Sequence, residues 1–181
     1  MRHSAGFLFG IGISAALAAS PAAARHRGWT DVSTIGRDIM VATALGVPAV
    51  QGDWTGDVQA GGSMLLGGGV AYGLKQLIHE ERPDHSDHKS FPSAHTAEAF
   101  AAAATLENRY GWKAGLSALA VATLVGVARV EARKHHWYDA MAGAAIGAGS
   151  GFLVTSARSG SVRLVPWGDA GGGGLALAAS F

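Results

Sequence analysis

Four long stretches without a charged side chain constrain the fold of this sequence more than any other feature. They are rich in alanine, glycine, leucine and valine, and they cover residues 39–52, 58–74, 114–128 and 140–157. They show no regular alternation of apolar and polar residues, which argues against half-buried strands, and their small side chains suit close helix packing. The sequence therefore predicts an all-α fold, a bundle of about five to six helices.

Length and composition limit the kinds of protein that this can be. The chain has 181 residues, of which 49% are hydrophobic, and this suits one compact domain. A formal net charge of +1 gives no indication of nucleic-acid binding. The absence of cysteine excludes disulfide scaffolds, thiolate metal sites and cysteine nucleophiles.

The two ends of the chain differ from its middle. A charged start is followed by an apolar run at residues 7–19 and by small residues up to Ala24, the order of a secretory signal cleaved after Ala24. An uncleaved first membrane helix is the alternative. We expect residues 1–24 to be one or the other, residues 25–160 to form the helical domain after a polar link at 25–34, and the tail at 161–181 to form a short hairpin.

The helices can be placed only partly relative to a membrane. A spanning helix needs about 20 apolar residues, and the uncharged runs lie at or below that length, so each is either a core helix or a short span. The segment at 94–110 carries Glu98, Glu107 and Arg109 and is the least membrane-like. Gly111 ends that helix and a new one begins near Trp112.

Polar chemistry collects in two windows, residues 75–95 and 129–139, which hold six of the eight histidines. Helices at 94–110 and from Trp112 onward would each travel about 25 Å, so antiparallel packing returns Arg129 to the end that holds His95. The helix that ends near residue 75 delivers its last turn to the same end. We expect the site at one end of the bundle.

Within these windows the spacing of the side chains points to phosphate chemistry. Ser93 can cap a helix whose free N–H groups would bind an anion beside His95. His135 and Asp139 lie four residues apart, a spacing at which a carboxylate can orient an imidazole. Together with cations from several loops, these groups are what phosphoryl transfer through a histidine requires.

Three motifs occur in order: K-x6-R-P at residues 75–83, P-S-x-H at 92–95 and R-x5-H-x3-D at 129–139. The chain resembles the type 2 phosphatidic acid phosphatase superfamily, which also includes bacterial nonspecific acid phosphatases and vanadium haloperoxidases. The resemblance implies that His135 attacks phosphorus, that Asp139 orients it, and that His95 protonates the leaving oxygen and later activates water.

The same resemblance implies a phosphate-binding set without a metal ion or a cofactor. Lys75, Arg82 and Arg129 would bind the phosphoryl oxygens, assisted by Ser93 and by the backbone at Ala94. The family often has glycine where Ala94 stands, and serine where this chain has alanine just before Arg129; neither difference removes a catalytic group.

Other polar residues have less specific interpretations. His136 adjoins His135 but breaks the five-residue count of the motif. The loop at 84–89 contains two histidines and two aspartates, which could bind a metal, although a solvated loop that shapes the pocket mouth is the favoured explanation. Trp112 and Trp137 suit packing or a membrane interface.

These observations predict a phosphatase of a bacterial cell envelope, with its site on the periplasmic side and a phosphorylated lipid or small phosphate ester as substrate. An inner-membrane protein is favoured over a soluble nonspecific acid phosphatase. Vanadium-dependent haloperoxidation is the alternative from another reaction class, and a phosphate-binding protein without activity is a third. Six spans starting with residues 7–19 would place all three motifs on one side.

Overall fold

The structure, a computed structural model, describes residues 21–158, 162–169 and 172–179. Within them lie five helices and two strands: α1 Pro21–Val50, α2 Trp54–Leu77, α3 Ala94–Tyr110, α4 Trp112–Glu131, α5 Trp137–Val154, β1 Val162–Asp169 and β2 Gly172–Ala179. The predicted helical bundle is confirmed. The strands pair antiparallel with Val162 opposite Ala179, where the sequence predicts a hairpin. The predicted apolar run at residues 7–19 lies outside the described residues.

Helix α3 is the centre of the bundle, and the other four helices pack around it. Every residue of α3 is buried or half-buried, although its sequence is the most charged of the five. Its alanines form much of the core, with exposures of 0 to 4%. Two of its charged side chains have partners on neighbouring elements of the bundle. Glu98 accepts a hydrogen bond from Arg37 at 2.9 Å, and Arg109 forms an ion pair with Asp53. A helix can therefore carry charged residues and still be central, because residues of neighbouring elements pair with two of its three charges.

The contact between α3 and α5 is made by backbone atoms. Gly143, Gly147 and Gly151 recur every four residues and so lie on one face of α5. A Cβ added at Gly147 would lie 2.1 Å from the carbonyl oxygen of Ala97, and one at Gly143 would lie 2.4 Å from that of Ser93. No side chain fits at these positions, so the glycines set how closely the two helices approach.

The start of α1 differs from the prediction. Residues 25–34, expected to form a polar link, are helical from Pro21 onward. Their polar side chains bind the end of α4: Arg25 pairs with Glu131 at 3.3 Å, and the ring of His26 binds the carbonyl oxygen of Glu131 at 2.9 Å. The sequence-based interpretation was wrong because partners more than 100 residues away satisfy these side chains.

The glycine contact predicts a large difference between two substitutions on the same helix. Gly147→Ala should destabilise the protein by about 1–3 kcal/mol or more, because the new methyl group meets backbone that cannot move without shifting α3. Gly149→Ala is the matched control, since nothing lies within 4 Å of its Cβ position, and it should stabilise the helix by about 0.5–1 kcal/mol. Thermal unfolding of both variants measures the difference, and equal effects would contradict the packing described.

Candidate active site

Ser93 joins the starts of α3 and α5 at one end of the bundle. Its side chain caps α3 by accepting hydrogen bonds from the N–H and hydroxyl of Thr96, and its own N–H donates to the carbonyl oxygen of Asp139 at 3.0 Å. Ala94 is the first residue of α3, where a backbone N–H has no partner within the helix. The predicted second and third motifs therefore meet directly.

His135 lies in the turn between α4 and α5 and is 2% exposed. Its Nδ1 is 3.5 Å from Oδ2 of Asp139, at the outer limit of a hydrogen bond. Burial lowers the pKa of His135 to about 4, with help from the nearby cations Arg129 and Lys75 and against the opposing effect of Asp139. The imidazole is therefore neutral at physiological pH and keeps a nitrogen lone pair.

Asp139, in the first turn of α5, is fully buried. Its Oδ2 accepts from the N–H of His136 at 2.8 Å and from the hydroxyl of Ser90 at 2.5 Å. Burial alone would raise the pKa of Asp139, but the His135 imidazole and the hydrogen bonds from Ser90 and His136 outweigh it and hold the pKa well below its usual range. Asp139 is thus a fixed anion facing the His135 ring.

Ser90 was missed by the sequence analysis. It is fully buried and lies in the loop before α3, three residues ahead of Ser93. No motif includes it, and its partner Asp139 is 49 residues further along the chain. The sequence offers only a hydroxyl residue beside the P-S-x-H motif as a signal.

Lys75 and Arg82 enter the site from α2 and the loop that follows it. The Nζ of Lys75, 8% exposed, donates to the carbonyl oxygens of Lys89 and Ser90 at 2.8 and 3.0 Å. Arg82 pairs through Nε with Asp87 at 2.6 Å and donates from Nη1 to the carbonyl oxygen of Lys134 at 3.0 Å. Both cations are held in place by the loops that they connect.

Arg129, in the last turn of α4, is 7% exposed, and its Nη1 lies 3.5 Å from the hydroxyl of Ser33 on α1. Its Nε is buried and has no hydrogen-bond partner in the part of the chain described here. A buried guanidinium nitrogen without a partner is suited to receive an oxygen ligand.

His95 lies in the first turn of α3 and has no carboxylate partner among residues 21–158. Burial, together with the charges of Arg129, Arg37, His135 and Arg82, lowers its pKa to about 3. Arg37, on α1, is outside all three motifs and is a second contributor that the sequence analysis did not single out. A bound anion would reverse the effect of these cations on His95.

The loop at 84–89 is organised by ion pairs. Asp84 pairs with Lys134 at 2.6 Å, Asp87 pairs with Arg82, and His85 pairs with Glu81 at 2.7 Å. Its acidic side chains hold the loop against the rest of the site, which gives it a structural use without a metal ion.

His136 occupies a different environment from His135. Its ring stacks on Tyr138 with 5.0 Å between centroids, and it caps α5. Ligand atoms of Glu80, His136 and Asp139 lie within 4.8 Å of one another and could hold a metal ion. Glu80 accepts a hydrogen bond from the Tyr138 hydroxyl, and Asp139 accepts one from the Ser90 hydroxyl.

An apolar groove of about 310 Å³ opens beside the site between α3, α4 and α5. Its inner end includes Thr96, which follows His95, and Val130, which follows Arg129. Its outer part includes Phe100, Trp137 and Met141. The groove therefore lies next to residues of the second and third motifs.

Three proteins similar to this chain are each named as a phosphatase of a lipid. The chain is 35% identical over 103 residues to the lipid A 4'-phosphatase of Helicobacter pylori, covering 51% of this chain and 52% of that protein. It is 36% identical over 87 residues to the lipid A 1-phosphatase of Porphyromonas gingivalis, covering 46% and 20%. It is 38% identical over 96 residues to lipid phosphate phosphatase 1 of Arabidopsis thaliana, covering 45% and 28%. The chain thus spans about half or less of the length of these relatives.

Two crystal structures share the fold. LpxE of Aquifex aeolicus superposes with a TM-score of 0.61 at 22% identity, over 71% of this chain and 83% of that one. A transmembrane phosphatidylglycerolphosphate phosphatase of PAP2 type from Bacillus subtilis gives 0.51 at 23% identity, over 71% and 73%. The family model of the PAP2 superfamily matches residues 57–163. This match takes in all three motifs and more than half of the chain, so the chain belongs to the PAP2 superfamily.

Proposed function

We propose that this protein hydrolyses a lipid-linked phosphomonoester or diphosphate through a phosphohistidine formed at His135. The observation that carries the proposal is the convergence, at one end of the bundle, of a neutral buried His135, its carboxylate partner Asp139, and His95. The relatives named as lipid A and lipid phosphate phosphatases support the substrate class.

The first step forms a P–N bond and breaks a P–O bond. Because Nδ1 of His135 faces Asp139, Nε2 is the nitrogen that attacks phosphorus. The positive charge that develops on the ring is stabilised by the Asp139 carboxylate. His95 donates its proton to the leaving oxygen, so the alcohol or phosphate leaves in a protonated form.

The second step returns the enzyme to its starting state. His95, now neutral, accepts a proton from water while the water oxygen attacks phosphorus and the P–N bond breaks. Phosphate is released and His135 recovers its lone pair. Lys75, Arg82 and Arg129 would bind the equatorial oxygens in both steps, assisted by Ser93 and by the N–H of Ala94.

The outer surface favours a lipid substrate and a membrane location. Large apolar side chains are exposed on α1, α2, α4 and α5, the four helices that surround α3; examples are Ile35, Val58, Leu65, Leu116, Met141 and Leu153, at 58 to 78%. Exposed apolar side chains on four helices are more than is usual for a protein surrounded by water. Of the helices in the described part, α4 is the one long and apolar enough to cross a membrane by length and composition.

Aromatic side chains add to this interpretation. Trp54 and Trp112 are exposed at the end away from the site, and Trp137 is exposed at the site end, as in the two aromatic belts of membrane proteins. We propose an inner-membrane protein whose helical domain, residues 25–160, follows a signal or first helix at 1–24 and carries a tail at 161–181. This arrangement would place the site on the periplasmic side.

The direct test is phosphate release by the full chain and its His135→Ala variant without added metal. Phosphatidate, an isoprenyl diphosphate and p-nitrophenyl phosphate are the substrates. The variant should lose about 10³-fold or more in kcat, since no other group can form the intermediate. His88→Ala, in the exposed part of the loop, should keep activity within about twofold. An active His135→Ala, or a wild-type protein that releases no phosphate, would overturn the proposal.

Anion binding should change the protonation of His95. With the site empty its pKa is about 3, because burial and the cations oppose a charged ring. A phosphate or vanadate dianion adds negative charge beside the ring, so the pKa should rise by one unit or more, roughly, and bring the ring nearer to a working general acid. NMR titration of the histidines with and without phosphate, with His95→Gln to assign the signal, measures this. A pKa that stays the same or falls on binding would contradict the general-acid role.

Ser90 should act as a positioning residue through Asp139. Ser90→Ala removes one donor from the buried carboxylate, so the pKa of Asp139 should rise and kcat should fall about tenfold, with KM little changed. The acid limb of the pH profile should move upward, a change that a simple loss of stability would not produce. Ser90→Thr should restore most of kcat, and Ser117→Ala, on the outside of α4, should change nothing. An unshifted acid limb would exclude this role.

A further inference from the structure

A second polar pocket, of about 640 Å³, opens at the same end of the molecule as the candidate active site. It lies between the start of α1, the loop after α2 and the turn after α4. The charged or titratable side chains that line it are His26, Arg27, Asp84, His85, Arg133 and Lys134. We propose that this pocket binds a second phosphate group of the substrate's headgroup, separate from the phosphate that is hydrolysed. The inference rests on the proposed phosphatase function.

The pocket adjoins the candidate active site, because two of its lining residues are direct neighbours in sequence of site residues. Pro83, in its lining, directly follows Arg82, and Lys134 directly precedes His135. One residue step spans about 3.8 Å between Cα atoms, so the two sites are neighbours. Arg82 connects them, because its Nη1 donates to the carbonyl oxygen of Lys134 while its Nε binds Asp87. A headgroup held at His135 can therefore extend into this pocket.

The pocket has an excess of positive charge. Asp84 is its one carboxylate among the lining residues, and it is balanced by Lys134 at 2.6 Å. Arg27 and Arg133 are exposed, and within the described part of the chain neither lies within 4.0 Å of a carboxylate. The two guanidinium groups are thus available, and their geometry suits bidentate binding of phosphate oxygens.

The side chains of His26, Glu131 and Glu81 do not neutralise the positive charge of the pocket. His26 uses Nδ1 to bind the carbonyl oxygen of Glu131, so its other nitrogen remains for the pocket. The Glu131 carboxylate pairs with Arg25 at 3.3 Å, on the outside of α1. Glu81 pairs with His85. Glu131 and Glu81 therefore each have a partner other than the two arginines.

One residue in each of the two loops that line the pocket has an unusual backbone conformation. Arg133 and His85 each have a φ of 57°, in the left-handed region that few residues other than glycine adopt. Both are fixed by turn hydrogen bonds of 2.9 Å, from Arg133 to Val130 and from His85 to Arg82. These hydrogen bonds fix the backbone of both turns. The position of Arg133 at the pocket is therefore set by its backbone.

This arrangement selects a substrate class by its chemistry. A lipid with a single phosphate fills the candidate active site and leaves the second pocket to solvent. A lipid whose headgroup carries a second phosphate can occupy both, and the added contact reduces KM. The preference should therefore be visible as a ratio between two substrates and not as a change in the catalytic step.

The experiment compares phosphatidate with phosphatidylglycerolphosphate, which carries an added glycerol phosphate and so a second phosphate group, using the full chain in neutral detergent. The wild-type protein should have a higher kcat/KM for the two-phosphate lipid. The double variant Arg27→Ala/Arg133→Ala should lose about tenfold on that lipid, mainly through KM, and less than about twofold on phosphatidate. Lys113→Ala is the control, an exposed cation at the start of α4, at the end away from the pocket, and it should leave the ratio unchanged.

Either of two results would overturn the inference. An equal loss on both lipids would show that the arginines attract any anionic surface, including a membrane. No loss on either would show that the pocket does not contact substrate. Hydrolysis of phosphatidate by the wild-type protein, abolished in His135→Ala, is measured in the same assay, so a failure of the phosphatase function is distinguished from a failure of the second site.

Discussion

The close approach of α3 and α5 is the contact on which the rest of the structure depends. Gly143, Gly147 and Gly151 bring the two helix backbones together, and the Ser93 N–H reaches the carbonyl oxygen of Asp139 at the site end of the same contact. Since backbone atoms make the contact, side-chain rearrangement cannot relax it. The start of one helix is thereby fixed against the start of the other, and the second and third motifs form one site.

The resulting site brings together groups whose positive charges repel one another when no anion is bound. Cations from three helices and one loop surround two histidines, and burial together with these charges lowers the pKa of both rings. Asp139 supplies the one fixed negative charge, held by Ser90 and by the His136 N–H. A phosphate dianion would offset the excess positive charge. The same electrostatics would therefore favour binding of the substrate and protonation of the general acid.

Polar and apolar residues are distributed in an uncommon way. The most charged helix, α3, is enclosed by the other four, whereas large apolar side chains lie on their outer faces. Two of the charges of α3 are tolerated because they have partners, as Glu98 has Arg37 and Arg109 has Asp53. This distribution suits a bundle surrounded by lipid, with its polar chemistry at one end, and a groove between α4 and α5 lies next to residues of the second and third motifs.

The sequence by itself determined the helical class, through four uncharged runs of small residues, and the motif residues, because their spacing along the chain is local information. It misplaced the start of α1, since the partners of Arg25 and His26 lie on Glu131, far along the chain. Only the tertiary structure revealed Ser90 beside Asp139, Arg37 beside His95, and the pair of unpartnered arginines in the second pocket. The physical reason is that these depend on which helix faces meet, and the contact between the backbones of α3 and α5 decides that.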